Sequence, residues 1–211
     1  MGFTNLPMGI HRTCSQPGLI ALTFDDGITP NSKHILEILE REQVKASFFI
    51  VGEMLLERNR LPILKQIHEQ GHFIGNHTWT HLNLTQLPEQ RLEEEVLATQ
   101  NGIDLETGSK QKRYLRPPFG VIDQRVYDKL ASLGYVIVLW NMDLKDWNTH
   151  RSKQHILTYY QKLMAKADPT KESFILILHE RNATLTLLPD IIRIAREKNF
   201  RFVTVDRCAI D

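Results

Sequence analysis

The stretch GLIALTFDDGITP, residues 18–30, runs an apolar segment directly into two adjacent carboxylates, Asp25 and Asp26, followed by Gly27. A continuous apolar run without polar alternation is typical of a strand that is buried on both faces of a sheet. Two neighbouring carboxylates resist ionising together unless a positive group relieves them. We therefore expect a buried strand that ends beside a cation, with Gly27 providing the sharp turn that lets both carboxylates reach it.

Six further apolar segments follow along the chain and are separated by stretches of helical period. These segments are residues 46–52, 72–76, 114–118, 135–141, 174–180 and 201–206. Amphipathic helices are predicted for residues 30–43, 88–105, 123–134 and 152–167. Strands that alternate with helices indicate parallel pairing through right-handed crossovers, so the α/β class is predicted.

Ionisable side chains fall at the ends of five of the seven predicted strands. They are Asp25, Asp26, His77, Arg116, Asp143, Asp146 and His179. A doubly wound open sheet would gather such groups in one crevice, whereas a barrel distributes them over the C-terminal ends of many strands. We therefore predict a distorted, closed or nearly closed (β/α) barrel of about seven units.

Length, composition and charge limit the classes of function that the sequence is compatible with. The 211 residues, 42% of them apolar, predict a single domain over residues 1–211, which we expect to be a monomer. A net charge of +1 without a basic block gives no reason to expect nucleic acid as a partner. No apolar stretch is long enough for a membrane span. The start, MGFTNLPMGIHRT, lacks a long apolar segment, so either the protein stays inside the cell or a signal peptide is absent from this sequence.

Cys14 and Cys208 lie near opposite ends of the sequence and have two interpretations. They are either two unpaired thiols or a disulfide across the whole fold, since the termini of a domain often lie close together. A disulfide would imply an oxidising compartment. Tripeptides at residues 83–85 and 182–184 match the N-glycosylation pattern and fit a secreted or cell wall-associated protein.

The stretch HTWTH places His77 and His81 four positions apart, which in a helical turn would set both imidazoles on one face. A second pair, His68 and His72, has the same spacing, but the glycine just before His72 is expected to end that helix and separate the rings. The first pair is therefore the predicted metal site.

Asp26 adds a carboxylate to His77 and His81, and two imidazoles with one carboxylate leave coordination positions open, as in catalytic metal sites. Such a metal can lower the pKa of its water to about 7. The adjacent Asp25 would stay unligated and take a proton from that water. Arg116, in the stretch RPPFG, can grip a carboxylate with two bonds and hold it ionised and oriented.

Two tryptophans and a histidine complete the set of candidates at the strand ends. Trp147 follows Asp146 beyond its strand and is a candidate for stacking on a sugar ring, whereas Trp140 is expected in the core. His179 closes an apolar strand and gains weight as a site residue because it shares an edge with the other candidates.

The chain resembles the polysaccharide deacetylases of carbohydrate esterase family 4, because it contains five of that family's motifs in the same order. The motifs are TFDDG (23–27), HTWTH (77–81), RPPFG (116–120), DLKDW (143–147) and LILHE (176–180). The resemblance implies a distorted (β/α) barrel with fewer than eight units, in agreement with the count above. It also implies a divalent metal, zinc or alternatively cobalt, bound by Asp26, His77 and His81, with Asp25 as the general base and Arg116 steadying it.

The resemblance implies roles for five more residues. His179 would be the general acid and Asp146 would orient it. The backbone amide of Phe119 would help to stabilise the oxyanion, and Trp147 and Ile177 would surround the acetyl methyl group. The implied reaction is removal of N-acetyl groups from polymers of N-acetylglucosamine, with chitin and its oligomers ahead of peptidoglycan.

Three residues differ from the pattern of the family that the chain resembles. Ile28 stands where proline is frequent, Phe119 where tyrosine is common, and Glu180 where aspartate is usual. Since a backbone amide does not depend on the side chain, the oxyanion donor is expected to survive at Phe119. Ile28 is expected to reposition the loop beside the two aspartates. Alternatives to chitin deacetylation are a catalytically silent sugar-binding protein and an esterase of acetylated xylan.

Overall fold

One parallel sheet organises the chain, which a computed structural model describes over residues 9–108 and 112–209. The strands are β1 (Ile10–His11), β2 (Leu19–Gly27), β3 (Ser47–Ile50), β4 (Phe73–Asn76), β5 (Tyr114–Leu115), β6 (Val136–Val138), β7 (Met142–Asp143), β8 (Phe174–His179) and β9 (Arg201–Val203). Eight of them follow the spatial order β1-β6-β5-β4-β3-β2-β8-β7, and β9 pairs with β2. The curled sheet forms a barrel. This barrel is not fully closed, because the end strands β1 and β7 do not pair with each other among the described residues. The predicted distorted (β/α) barrel is confirmed.

Helices follow most of the strands and cover the outside of the sheet. They are α1 (Ser32–Arg41), α2 (Leu61–Glu69), α3 (Glu89–Thr107), α4 (Gln124–Ser132), α5 (Lys153–Lys166), α6 (Asn182–Glu197) and α7 (Val205–Cys208). Short 3-10 helices occupy Gly52–Leu56, Leu84–Gln86 and Pro118–Gly120. In the described ranges, none of the helices combines the length and apolarity that crossing a membrane requires. The predicted single domain over residues 1–211 extends past the described residues at both ends and stays a prediction.

The first part of the central strand β2, from Leu19 to Leu22 and again at Phe24, is apolar because it faces two cores. Ile20, Leu22 and Phe24 lie in the core between the sheet and the helices, whereas Leu19 and Ala21 lie inside the barrel. Successive side chains of a strand point to opposite faces, so both sets are buried. Each large apolar side chain contributes about 1.5–3 kcal/mol when fully buried.

The N-terminal ends of the strands are closed by α7. A disulfide joins Cys208, the last residue of α7, to Cys14, which precedes β2. The backbone N–H of Val205 donates to the hydroxyl of Ser47 at the start of β3, at 2.9 Å. Since Cys14, Val205, Cys208 and Ala209 belong to the apolar cluster inside the barrel, we call these four residues the floor.

Candidate active site

A cavity of about 450 Å³ opens at the C-terminal ends of the strands, which we call the mouth. Its lining combines carboxylates, imidazoles and aromatic rings. The lining residues are Asp25, Asp26, His77, His81, Phe119, Trp140, Asp143, Trp147, Ile177 and His179. The strand ends that the sequence marked as polar therefore meet in one cavity, with Arg116 and Asp146 buried behind its wall.

Both carboxylates of the first motif reach the cavity because β2 is irregular at its end. The pairing of β2 with β3 shifts between Asp25 and Gly27, and Asp26 has a left-handed backbone with φ +64°. The sharp turn expected at Gly27 therefore occurs at Asp26. Gly27 is needed for space, because a Cβ there would lie 2.5 Å from Oε1 of Glu180.

Arg116 is fully buried and neutralises Asp25. Its Nη1 donates to Oδ1 of Asp25 at 2.6 Å and to the hydroxyl of Thr23 at 2.7 Å. Its other nitrogens donate to the carbonyls of Val138 at 3.3 Å and Leu139 at 3.2 Å. Burial lowers the pKa of Arg116 and the ion pair with Asp25 opposes that shift. Because guanidinium stays protonated in proteins, Asp25 has a permanent cationic partner.

Asp26, His77 and His81 place one ligand atom each within 4.8 Å of one another. The Nε2 atoms of His77 and His81 lie 3.5 Å and 3.3 Å from Oδ1 of Asp26. Nδ1 of His77 lies 2.7 Å from the carbonyl of Arg116. Since a carbonyl only accepts, this nitrogen carries the proton and Nε2 presents its lone pair to the cluster.

The helical turn expected for residues 77–81 is wrong. The segment has no helix, and Thr78 and His81 have φ values of +65° and +58°. This irregular backbone nevertheless brings the rings of His77 and His81 to a centroid separation of 4.9 Å.

The residues of this cluster fit a divalent metal. Oδ1 of Asp26 is buried without a hydrogen-bond partner among the described residues, and such orphaned polar atoms are rare in folded proteins. Burial acts to raise the pKa of Asp26, but the interaction with the neighbouring His77 ring outweighs burial and holds that pKa below its usual range. Two imidazole nitrogens and one carboxylate oxygen form a donor set typical of catalytic zinc.

His179 and Asp146 form a second pair at the mouth. Nδ1 of His179 lies 2.9 Å from Oδ1 of Asp146, whose Oδ2 accepts from the backbone N–H of His179 at 2.7 Å. The hydroxyl of Thr184, fully buried, donates to the same Oδ2 at 2.6 Å. Burial lowers the pKa of His179, but its hydrogen bond and charge interaction with Asp146 outweigh burial and leave the pKa raised.

Aromatic and apolar side chains form the rest of the wall. Phe119 is 61% exposed, packs against the ring of His81 at 4.8 Å, and has φ +61°. Trp147 is 49% exposed at the rim, and Ile177 lies buried in the wall. Trp140, expected in the core, also lines the cavity and was missed as a site residue. Its place at the end of a strand was the signal that could have identified it.

The second histidine pair does not join the site. Nδ1 of His72 accepts the backbone N–H of Ala46 at 3.1 Å, and His72 is 3% exposed. Burial, aided by the charge of Lys45, lowers the pKa of His72 to about 4. His72 is thus a buried side chain that accepts the N–H of Ala46, next to the start of β3, and its lowered pKa keeps it neutral near pH 7.

Comparisons with known proteins agree with this geometry. The family model described as polysaccharide deacetylase matches residues 12–138. The peptidoglycan-N-acetylglucosamine deacetylase PgdA of Listeria monocytogenes is 31% identical over 192 residues, which are 89% of this chain and 38% of that protein. A peptidoglycan-N-acetylglucosamine deacetylase of Bacillus cereus is 31% identical over 194 residues, 89% of this chain and 86% of that protein.

A solved structure gives the same result for the fold. The chitin deacetylase of Colletotrichum lindemuthianum superposes with a TM-score of 0.90 at 27% identity, covering 98% of this chain and 94% of that one. The chain spans less than half the length of the first curated relatives that it matches. It belongs to the polysaccharide deacetylase family, as the resemblance of its motifs predicted.

Proposed function

We propose that this protein is a metal-dependent deacetylase that removes N-acetyl groups from N-acetylglucosamine residues of a polysaccharide, with chitin and its oligomers as the principal substrate. One observation carries the proposal: the cluster of Asp26, His77 and His81 shares a cavity with the arginine-paired Asp25 and the aspartate-paired His179. A carboxylate base and an imidazole acid around a metal-type cluster are the groups that amide hydrolysis needs.

Asp26, His77 and His81 would hold the divalent metal, for which we propose zinc with cobalt as an alternative. When bound, it would supply the Lewis-acid chemistry that makes water a better nucleophile and an amide carbon a better electrophile near neutral pH. The hydrogen bond between Nδ1 of His77 and the carbonyl of Arg116 fixes the ring that offers this lone pair.

Asp25 acts as the general base. Nη1 of Arg116 donates to Oδ1 of Asp25 at 2.6 Å and orients the carboxylate. Oδ2 of Asp25 lies 3.7 Å from Nε2 of His77, so it borders the metal cluster without belonging to it. From this position Asp25 takes the proton of the water that adds to the acetyl carbon.

His179 acts as the general acid. Asp146 fixes Nδ1, which leaves Nε2 to give its proton to the amide nitrogen as the C–N bond breaks, so that acetate and a free amine leave. An amide needs this step because an unprotonated amine is a poor leaving group. The backbone N–H of Phe119 donates to the developing oxyanion, and Trp147 and Ile177 surround the acetyl methyl group.

Peptidoglycan is the second candidate substrate, because two of the relatives described above are named for it. The choice of chitin follows the extent of structural likeness to the Colletotrichum chitin deacetylase. The Cys14–Cys208 disulfide supports a secreted or cell wall-associated protein, since disulfides persist in oxidising compartments.

The test is acetate release from chitin oligomers by the protein loaded with zinc or cobalt, in parallel with peptidoglycan and acetylated xylan. The Asp25→Asn variant keeps the side-chain shape but cannot take the proton, so its turnover should fall roughly 10²–10⁴-fold with zinc still bound. No acetate from any of the three polymers, despite a filled metal site, would leave a silent carbohydrate-binding protein as the better interpretation.

A further inference from the structure

A buried carboxylate behind the mouth has no part in the proposed reaction. Glu180 follows the last residue of β8 and is 3% exposed. Its Oε2 accepts the backbone N–H of Thr29 at 2.9 Å and also the hydroxyl of Ser32. Thr29 and Ser32 belong to the segment that leads from β2 into α1, residues 27–32, which we call the β2–α1 turn.

More contacts join this turn to the segment that follows β8. The side-chain amide of Asn31 donates to the carbonyl of Glu180 and to Oδ1 of Asn182, both at 3.0 Å. Nη2 of Arg181 lies 4.0 Å from Oδ2 of Asp26. The strand end that carries the proposed acid is therefore tied to the strand end that carries the proposed metal ligand.

Glu180 also lies directly against Gly27, the residue after Asp26. Oε1 of Glu180 is buried without a hydrogen-bond partner in the described part of the chain. A Cβ on Gly27 would approach that oxygen to 2.5 Å, which is closer than real Cβ contacts. Any side chain at position 27 would therefore have to displace the carboxylate of Glu180.

We propose that Glu180 is a positioning residue that fixes the β2–α1 turn, and through it Asp26, against the strand that carries His179. The inference rests on the proposed function, because it assigns Asp26 to the metal site. It also predicts that Gly27 and Glu180 are coupled, because a side chain at 27 would push the Glu180 carboxylate away from Thr29 and Ser32.

The test measures zinc binding by calorimetry on the full chain, together with melting temperature and deacetylation kinetics. Glu180→Ala removes the acceptor for two donors and should weaken zinc binding about tenfold. Glu180→Gln keeps a carbonyl oxygen that can accept both bonds, so its affinity should stay within about threefold of wild type. Ile194→Ala is the control, because it opens a cavity further along α6 and should lower the melting temperature without changing zinc binding.

A double-mutant cycle tests the contact itself. Gly27→Ala should weaken zinc binding about tenfold, and adding Glu180→Ala in the same chain should change the affinity by no more than a further threefold or so, because both changes disrupt the same contact. Unchanged zinc affinity in both Glu180→Ala and Gly27→Ala would overturn the inference even if both variants melt earlier. If Glu180→Ala does not fold, Gly27→Ala decides alone, and an unchanged zinc affinity in that variant would overturn the inference.

The outcomes separate this inference from the proposed function. A wild-type protein that binds no zinc would refute the proposed function. Hydrogen exchange at the Thr29 amide would then decide about Glu180, because that N–H should exchange at least about tenfold faster in Glu180→Ala. An unchanged exchange rate would overturn the positioning role.

Discussion

The two ends of the curled sheet are built in opposite ways. At the mouth, Asp26, His81 and Phe119 have φ values of +64°, +58° and +61°. Such backbone conformations cost non-glycine residues roughly 1–3 kcal/mol each and concentrate at functional sites. At the floor, apolar side chains and the disulfide of Cys14 and Cys208 pack inside the barrel.

This comparison indicates that the groups of the proposed reaction lie at one end of the sheet and that the contacts stabilising the fold lie at the other. Strain, buried ions and an orphaned carboxylate oxygen destabilise the mouth, and the apolar interior with its disulfide offsets that cost. Variants at the mouth should therefore lose metal binding or turnover while the protein stays folded. Variants at the floor should lose stability while the folded fraction keeps its activity.

The largest effect is expected when a proposed metal ligand is removed. His81→Ala takes away one of three donor atoms and should weaken zinc binding at least about 100-fold, because even indirect partners of a metal cost 10–100-fold. The control is His68→Ala in the other histidine pair, which should stay within about twofold. Equal losses from the two variants, read by calorimetry, would remove the distinction between the pairs.

The next effect concerns the orientation of the proposed acid. Asp146→Asn removes the charge that raises the pKa of His179, so that pKa should fall. Because the proposed mechanism requires a protonated His179, the alkaline limb of kcat/KM should move to lower pH, with turnover about 10–100-fold lower. Profiles of rate against pH measure the shift, and Asp168→Asn, at a half-buried carboxylate that does not line the mouth, serves as the control. If the alkaline limb does not move, the group that titrates there is not His179.

The sequence predicted much of this contrast because apolar runs and polar strand ends are local signals. The five motifs contain every residue that lines the mouth except Trp140. The conformations were not predictable, because aspartate and histidine are only enriched in the left-handed region, and tertiary contacts decide that Asp26 and His81 adopt it.

Short or interrupted elements were also beyond the sequence patterns. β1 and β7 have two residues each, too few for any periodicity. α6 was not singled out, and it contains Pro189, a residue that usually breaks helices. The contact of Glu180 with Gly27 joins residues far apart in sequence, so only the folded chain brings it into view.

At the floor, replacing both cysteines should act on stability alone. The disulfide closes a span of 194 residues, and removing such a crosslink typically costs about 2–5 kcal/mol. The Cys14→Ser, Cys208→Ser protein should therefore melt about 5–15 °C lower while zinc affinity and kcat/KM at 25 °C stay within about twofold. A larger loss of zinc affinity would show that the floor and the mouth are coupled, and it would contradict the separation of stability from metal binding.

The smallest effect is expected from His72, which lies beneath the sheet and stays neutral in the folded protein. Its pKa is lowered to about 4 by burial, while an unfolded histidine titrates near 6.5. The unfolded state therefore binds more protons between these values, so stability present above pH 6.5 is lost as pH falls toward 4. The loss at pH 4 should reach up to roughly 3 kcal/mol.

His72→Asn tests this titration, since its side-chain oxygen can accept the N–H of Ala46 without titrating. The variant should lose less stability than wild type between pH 7 and pH 4, as measured by urea unfolding at both pH values. His155→Asn, at an exposed position on α5, should leave the pH dependence unchanged. Parallel pH profiles for wild type and His72→Asn would show that acid sensitivity originates elsewhere, with the ionisable groups of the mouth as the remaining source.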